Sequence, residues 1–218
     1  MSARGEGISR TAMVFSMFPD TGTIFRRALM FVAAVMLAGC QSAGSIPPDT
    51  FDLTAPQGFD TMRGSTRAQI LIVEPSALKS LDSQNILVKA SPTEIEYLAK
   101  SQWSDRLPKV VQARLVEAFE NTGRVRAVSK PGEGLVIDYQ IVSDIRAFQA
   151  NIGSGSNEAR VSISVKLVSD RTGKVIRSEV FDVSVPLGST GASQIVNALN
   201  AAFDRAARDI VRWVFKAV

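Results

Sequence analysis

Alternation of apolar and polar residues dominates the second half of the chain. Three segments repeat with a period of two, with apolar side chains at residues 135, 137, 139 and 141, at residues 161, 163, 165 and 167, and at residues 181, 183 and 185. A period of two puts all the apolar side chains of a strand on one face. The pattern predicts long antiparallel strands with one buried and one wet face, with Ser162, Ser164 and Asp182 on the wet face.

Turn residues separate these strands. Asp170–Lys174 contains Thr172-Gly173 and predicts a hairpin turn, and Gly153–Asn157 is a small-residue loop before the second strand. Shorter apolar runs earlier in the chain predict further strands at Phe51–Leu53, Gln69–Val73 and Asn85–Lys89.

One segment between these runs allows two interpretations. Thr93-Glu94-Ile95-Glu96 has the spacing of a helix capping box, whereas Ile95, Tyr97 and Ala99 alternate as in a strand. We favour the strand over Thr93–Lys100.

Two segments repeat with a helical period. In Asp105–Asn121 apolar residues recur every four positions from Leu107, and Asp105 as N-cap would leave Pro108 in the first turn, where proline is tolerated. A second apolar stripe runs from Ile195 to Val214 and predicts an amphipathic C-terminal helix with Trp213 in the core. The fold class expected is therefore α+β, a mainly antiparallel sheet with two main helices packed on one face.

The N-terminal segment has a different pattern. Arg26 and Arg27 precede Ala28–Gly39, twelve uncharged residues that suit the apolar region of an export signal and are too few to span a bilayer comfortably as a helix. Leu37-Ala38-Gly39-Cys40 matches a lipobox, in which small residues admit the signal peptidase and the thiol of Cys40 receives the lipid. We predict cleavage before Cys40, with diacylglycerol and an N-acyl chain such as palmitate on Cys40.

This divides the chain into three parts. Residues 1–39 form the signal peptide, with Met13 or Met17 as alternative true starts because residues 1–20 fit a signal poorly. Residues 40–50, small and proline-containing, form a lipidated tether, and residues 51–218 form the folded domain. Gln41 after the Cys favours the outer membrane, with the domain facing the periplasm from the inner leaflet.

Composition removes most catalytic chemistries. The chain has no His, and Cys40 is its only Cys. Ser/His/Asp and Cys/His catalysis, His-based metal sites and an intramolecular disulfide need residues that are missing. The carboxylates of Asp138, Asp144, Asp170 and Asp182 are expected on wet faces or turns and define no catalytic pair. We expect no enzyme, no metal and no cofactor other than the covalent lipid.

Charge argues against a nucleic-acid partner. The chain has 25 Lys and Arg against 21 Asp and Glu, and 21 against 19 remain after residues 1–39 are removed. A net charge of +2 without a basic run interleaved with aromatics does not suit a phosphate backbone.

The run Pro92–Pro108 resembles the auxiliary lipoproteins of ABC-type transporters, the PqiC-like family. The shared pattern is a strand with Tyr97, then Trp103, then Asp105 and Leu107-Pro108 opening a helix. It continues through Val111–Leu115, Asp138–Gln140 and Asp144–Phe148 to the closing helix at Ile210–Trp213, and so covers nearly all of the chain from Phe51 onward.

The resemblance implies a non-enzymatic subunit of a lipid transport system that links the inner and outer membranes. Its partners would be a substrate-binding protein with mammalian-cell-entry (MCE) domains, an ABC permease and an ATPase, with this chain as the outer-membrane docking component that supports membrane integrity. Tyr97, Trp103 and Asp105 occupy the most recognisable positions and are the candidate partner-binding residues. A homo-oligomer is compatible with such partners.

An alternative from another class is an outer-membrane lipoprotein that serves as cofactor or scaffold for peptidoglycan-synthesis enzymes. This alternative requires the domain to reach through the peptidoglycan, and a tether of about ten residues extends at most about 35 Å.

Overall fold

The computed structural model describes residues 47–62, 64–153 and 157–218, together with Arg26 alone among the preceding residues. Residues 47–218 form one compact unit. The signal peptide, the lipobox Leu37–Gly39 and Cys40 lie outside the described residues, as does part of the predicted loop at 153–157.

The described chain contains nine strands and two helices longer than a turn. The strands are β1 (Asp49–Phe51), β2 (Gln69–Ile72), β3 (Ser76–Ala77), β4 (Asn85–Lys89), β5 (Ile95–Trp103), β6 (Ala127–Ser129), β7 (Tyr139–Asn151), β8 (Glu158–Ser169) and β9 (Val175–Pro186). The helices, α1 and α2, are Leu107–Glu120 and Ala192–Phe215. This is the α+β architecture predicted from the sequence, with all nine strands in one mixed sheet.

The three long strands form the antiparallel part of the sheet. β8 lies between β7 and β9 and pairs with both along nearly its whole length. Val161, Ile163, Val165 and Leu167 of β8 are fully buried, as their alternation predicts. α2 covers this face through contacts with β7, β8 and β9.

The other edge of β7 is shared by three short strands. β2, β3 and β4 lie along β7 one after another, all parallel to it, opposite residues 139–141, 144–145 and 149–151. The sheet is therefore mixed: the long strands pair antiparallel, and most of the short strands pair parallel. β6 extends the sheet from β2, and β5 and then β1 extend it from β4.

α1 begins without the predicted cap. The prediction that Asp105 is the N-cap is wrong, because Arg106 occupies that position and makes no side-chain capping bond. The Asp105 carboxylate instead accepts the backbone N–H of Arg106 at 2.7 Å. The N–H of Leu107 donates to the carbonyl of Ser83 at 3.0 Å, and Pro108 has no N–H to satisfy. Neighbouring backbone thus replaces the cap.

Both helices meet over the sheet and complete one core. Phe119 of α1 and Phe215 of α2 stack with ring centroids 6.4 Å apart. The amide of Gln112 donates to the carbonyl of Ile72 at 2.9 Å, which fixes α1 on β2. Trp213 is a core residue as predicted, edge-to-face with Phe181 at 5.8 Å.

Two strand predictions need correction. The predicted strand that starts at Leu135 begins later in the structure. β7 begins at Tyr139, and Leu135 and Val136 before it are exposed. Ser162 and Ser164 are buried and not wet, because β8 is an interior strand whose short side chains sit among longer neighbours such as Arg146, Arg160 and Lys166.

Candidate partner-binding surface

The first part of β5 is an uncovered strand edge. β5 pairs with β4 on one side, and on its other side β1 reaches only Ser101–Trp103. In the described chain no strand pairs with the outer edge of Ile95–Lys100. Backbone groups along such an edge are open to pairing with another chain.

This edge carries apolar side chains. Ile95 and Tyr97 are each 47% exposed, and Tyr97 lies opposite Leu87, which is buried. Exposed aromatic residues next to a buried apolar neighbour are common at protein interfaces. We define Ile95–Lys100 as the β5 edge.

A backbone irregularity separates the β5 edge from the rest of the strand. The register between β4 and β5 shifts between Asn85 and Leu87, and Lys100 has a φ of +52°. A positive φ is costly for a residue with a Cβ. The irregularity ends the regular alternation, so Tyr97 is exposed whereas Trp103, six residues later, is buried.

Trp103 is not a surface residue. It is 1% exposed and packs edge-to-face on Phe148, with ring centroids 5.7 Å apart. Its backbone N–H donates to the carbonyl of Gln84 at 2.7 Å. A partner has no access to this side chain, so we withdraw Trp103 from the partner-binding candidates and interpret it as the core anchor of β5.

Asp105 lies on the surface at the start of α1. Besides the Arg106 N–H, its carboxylate contacts the ammonium of Lys109 at 3.5 Å. The backbone hydrogen bond from Arg106 lowers the pKa of Asp105 below its ordinary value, and Lys109 lowers it further. Asp105 is therefore an anionic surface group that also orders the turn before α1.

Arg106 joins this junction to two earlier segments. Its guanidinium contacts the carboxylates of Asp82 and of Glu74, the latter at 2.5 Å. These hydrogen bonds, with Asp82 the larger contributor, raise the pKa of Arg106. The structure thus leaves Tyr97 and Asp105 exposed on separate segments with Trp103 buried between them, and the three candidates do not form one cluster.

Sequence reasoning missed a second exposed edge. β9 pairs only with β8 among the described strands, and its first half bears the exposed residues Val175, Ile176 and Val180. Arg177 packs over the Trp213 ring at 5.4 Å to its centroid. The apolar pair Val175-Ile176, which follows the predicted turn Asp170–Lys174, was the available signal, because a hairpin turn indicates that a strand begins after it.

The described residues offer neither a membrane-spanning helix nor a site for a metal ion. No helix of residues 47–62, 64–153 and 157–218 is long and apolar enough to cross a bilayer. The same part of the chain contains no cluster of three or more acidic or thiol side chains suited to a metal ion.

A curated protein of Bradyrhizobium diazoefficiens, itself uncharacterized, is 32% identical over 190 residues, which cover 84% of this chain and 50% of that protein. The chain thus spans about half the length of this relative.

Two solved structures share the fold. A Xanthomonas campestris protein is 22% identical with a TM-score of 0.70, over 79% of this chain and 96% of the other. A hypothetical protein of Chlamydia trachomatis is 10% identical with a TM-score of 0.50, over 70% of this chain and 98% of the other.

The family itself is shown by sequence. The sequence model of the ABC-type transport auxiliary lipoprotein component family matches residues 51–211, which is most of the described unit and includes Tyr97, Trp103 and Asp105. That family is one of auxiliary lipoprotein components and is not a known enzyme family. The chain belongs to the ABC-type transport auxiliary lipoprotein component family.

Proposed function

We propose that this chain is the lipid-anchored periplasmic subunit of an MCE/ABC-type lipid transport system, and that it acts as the outer-membrane docking component. The observation that carries the proposal is the family match over residues 51–211, which begins eleven residues after a lipobox cysteine. The chain would supply attachment and docking, and the permease and ATPase of the system would supply the energy-dependent steps.

Cys40 would hold the chain in the inner leaflet of the outer membrane. Each acyl methylene buried in a bilayer contributes about 0.8 kcal/mol, so diacylglycerol plus an N-acyl chain is a durable anchor. β1 begins at Asp49, within the predicted tether of residues 40–50, so the tether proposed here comprises residues 41–48. Eight extended residues reach at most about 29 Å, so the domain stays near its membrane.

The β5 edge is the surface we propose for the MCE-type partner. It offers an unpaired backbone edge that a partner strand could extend, and Ile95 and Tyr97 offer apolar contacts beside it. Glu94, Glu96 and Lys100 flank these side chains and would discourage unspecific edge-to-edge pairing in the free protein. Asp105 contributes a fixed negative charge at the adjacent junction.

The short tether favours the transport role over the alternative, a cofactor or scaffold of peptidoglycan-synthesis enzymes. A partner that reaches the outer membrane from the inner membrane does not require the lipoprotein to extend far. A cell-wall enzyme across the peptidoglycan does, and a tether of at most about 29 Å restricts that reach.

Affinity purification of the full chain from its native cells in mild detergent tests the proposal. We expect an MCE-domain protein, its permease and its ATPase to co-purify, and Tyr97→Ala to reduce their recovery while Arg205→Ala, on the exposed side of α2, does not. Recovery of peptidoglycan synthases without any MCE-domain protein would contradict the transport role and support the alternative.

A further inference from the structure

Three exposed arginines line an open cavity at the end of the sheet away from the β5 edge. The cavity has a volume of about 500 Å³, and its walls include Arg67, Arg126 and Arg171. Asp138, Tyr139 and Ser169 also line it. Nothing in the proposed docking role uses this cavity.

The sheet topology brings the arginines together from distant parts of the chain. Gln69 pairs with Ala127, so Arg67 and Arg126 directly precede two neighbouring parallel strands. Ile70 pairs with Tyr139, and Tyr139 pairs with Ser169, so the end of β8 and the turn with Arg171 lie at the same end of the sheet. The site is therefore built on the ends of four paired strands.

Basic groups outnumber acidic ones around this cavity. Three arginines line the cavity together with one acidic side chain, Asp138, and with Val218, whose terminal carboxylate adds a second negative charge. None of the three arginines forms an ion pair with a described residue, whereas Arg106, Arg114, Arg146, Arg160, Arg208 and Arg212 each do. One oxygen of the Asp138 carboxylate accepts the N–H of Gln69 at 2.8 Å, which fixes the position of this carboxylate but leaves its charge. Like charges grouped without partners repel each other, and an anion in the cavity would relieve that repulsion.

We propose that this arginine cavity binds a phosphate group. Guanidinium groups present planar pairs of N–H donors that match phosphate oxygens, and three of them can engage several oxygens of one phosphate at once. The hydroxyl-bearing residues Tyr139 and Ser169 supply further polar groups at the wall. The phosphate could belong to free inorganic phosphate or to a lipid headgroup, and both present the same chemistry to the arginines.

This site is separate from the β5 edge and does not rest on the proposed docking role. The cavity lies at Tyr139, the first residue of β7, whereas Tyr97 pairs with Leu87, which lies opposite Gln149 near its other end. Ten residues of strand separate the two positions by about 30 Å. Changes at one site therefore leave the other intact, and failure of either proposal can be recognised by itself.

NMR of residues 47–218, which form a compact unit with its own core, tests the proposal. Sodium phosphate is titrated at constant ionic strength against sodium chloride, and the arginine side-chain N–H signals are followed. We expect saturable shifts at Arg67, Arg126 and Arg171, and binding weakened about tenfold or more in the triple variant Arg67→Gln/Arg126→Gln/Arg171→Gln. The matched control Lys79→Gln/Lys166→Gln/Arg205→Gln removes the same charge from exposed positions and should bind like the parent.

A second arm identifies the source of the phosphate. Dihexanoyl phosphatidylglycerol below its micelle concentration should compete for the same arginine signals, and tighter binding than inorganic phosphate assigns a lipid headgroup. Shifts with phosphate alone assign a soluble phosphate. The proposal is overturned if chloride produces the same shifts, if the control variant loses binding equally, or if only an acidic peptide such as polyglutamate binds. Should the triple variant unfold, the three single variants are compared with Arg205→Gln, and equal affinities for all four overturn the proposal.

Discussion

Trp103 packs edge-to-face on Phe148, with ring planes at 87°. Phe148 in turn lies 6.2 Å from Phe203 of α2 between ring centroids, so this contact joins β5, β7 and the C-terminal helix. Trp103, which follows Tyr97 in the family pattern, therefore holds the strand in the core, whereas Tyr97 is exposed on the surface that we propose for a partner.

Truncating Trp103 should destabilise the fold strongly. Trp103→Ala removes a fully buried ring and leaves a cavity, so we expect the free energy of unfolding to fall by about 3–5 kcal/mol. Tyr97→Ala, at a half-exposed position, should cost less than about 1 kcal/mol. Urea denaturation of both variants measures the difference, and equal losses would contradict the assignment of Trp103 to the core and Tyr97 to the surface.

Lys100 should tolerate glycine better than a β-branched residue. Its φ of +52° is strained for any side chain with a Cβ, so Lys100→Gly should be neutral or stabilise the protein by up to about 1 kcal/mol. Lys100→Val should instead destabilise it. Thermal unfolding compares the two, and a more stable Val variant would show that β5 runs through this position as a regular strand.

The Arg160–Asp182 ion pair should give a small pH dependence. Arg160 donates to both carboxylate oxygens of Asp182 at 2.6 and 3.0 Å, and this hydrogen bonding lowers the pKa of Asp182 below its ordinary value of 3.8. A lowered folded pKa adds stability that is present above pH 3.8 and is lost as the pH falls through the folded pKa. Because both side chains are about 40% exposed, the effect should stay below about 1 kcal/mol.

The pKa itself can be followed by carboxyl carbon NMR. In Arg160→Gln the pKa of Asp182 should rise toward its ordinary value, and the stability at neutral pH should fall slightly. An unchanged pKa of Asp182 in that variant would show that the ion pair is not formed in solution.

Cys40 should be the sole point of lipid attachment. Cys40→Ser removes the only thiol, so labelled fatty acid should not incorporate and the chain should leave the membrane fraction. A Ser42→Ala variant, changed two residues away, should remain lipidated. Incorporation of label into Cys40→Ser would contradict the anchor.

Much of the fold follows from side-chain periodicity, and the exceptions have physical causes. The buried apolar residues of β8 and α2 follow their predicted stripes because these faces pack on the core. β3 and β6, with two and three residues, are too short to show a period and exist through pairing with β7 and β2. Leu135 fits the alternation of β7, but no neighbouring strand pairs with it in the described chain.

The candidate surfaces could be predicted less well from the sequence than the fold. Exposure of Tyr97 and burial of Trp103 depend on the irregularity at Lys100, and a positive φ at a lysine has no sequence signature. The arginine cavity depends on strand order, since Arg67, Arg126 and Arg171 are far apart in the chain. They are brought together by the parallel pairing of β2 with β6 and β7 and by the antiparallel pairing of β7 with β8. Which strands pair depends on contacts between distant parts of the chain, and a local pattern of residues does not specify them.

Site-specific cross-linking tests the docking role most directly. A photoreactive amino acid is placed at position 97 on the β5 edge, or at position 205 on α2 as control, in the full chain expressed in its native cells. We expect a covalent adduct with an MCE-domain protein from position 97 and none from position 205. Adducts of equal yield from both positions, or an adduct from position 97 with a peptidoglycan synthase in place of the MCE-domain protein, would contradict the account.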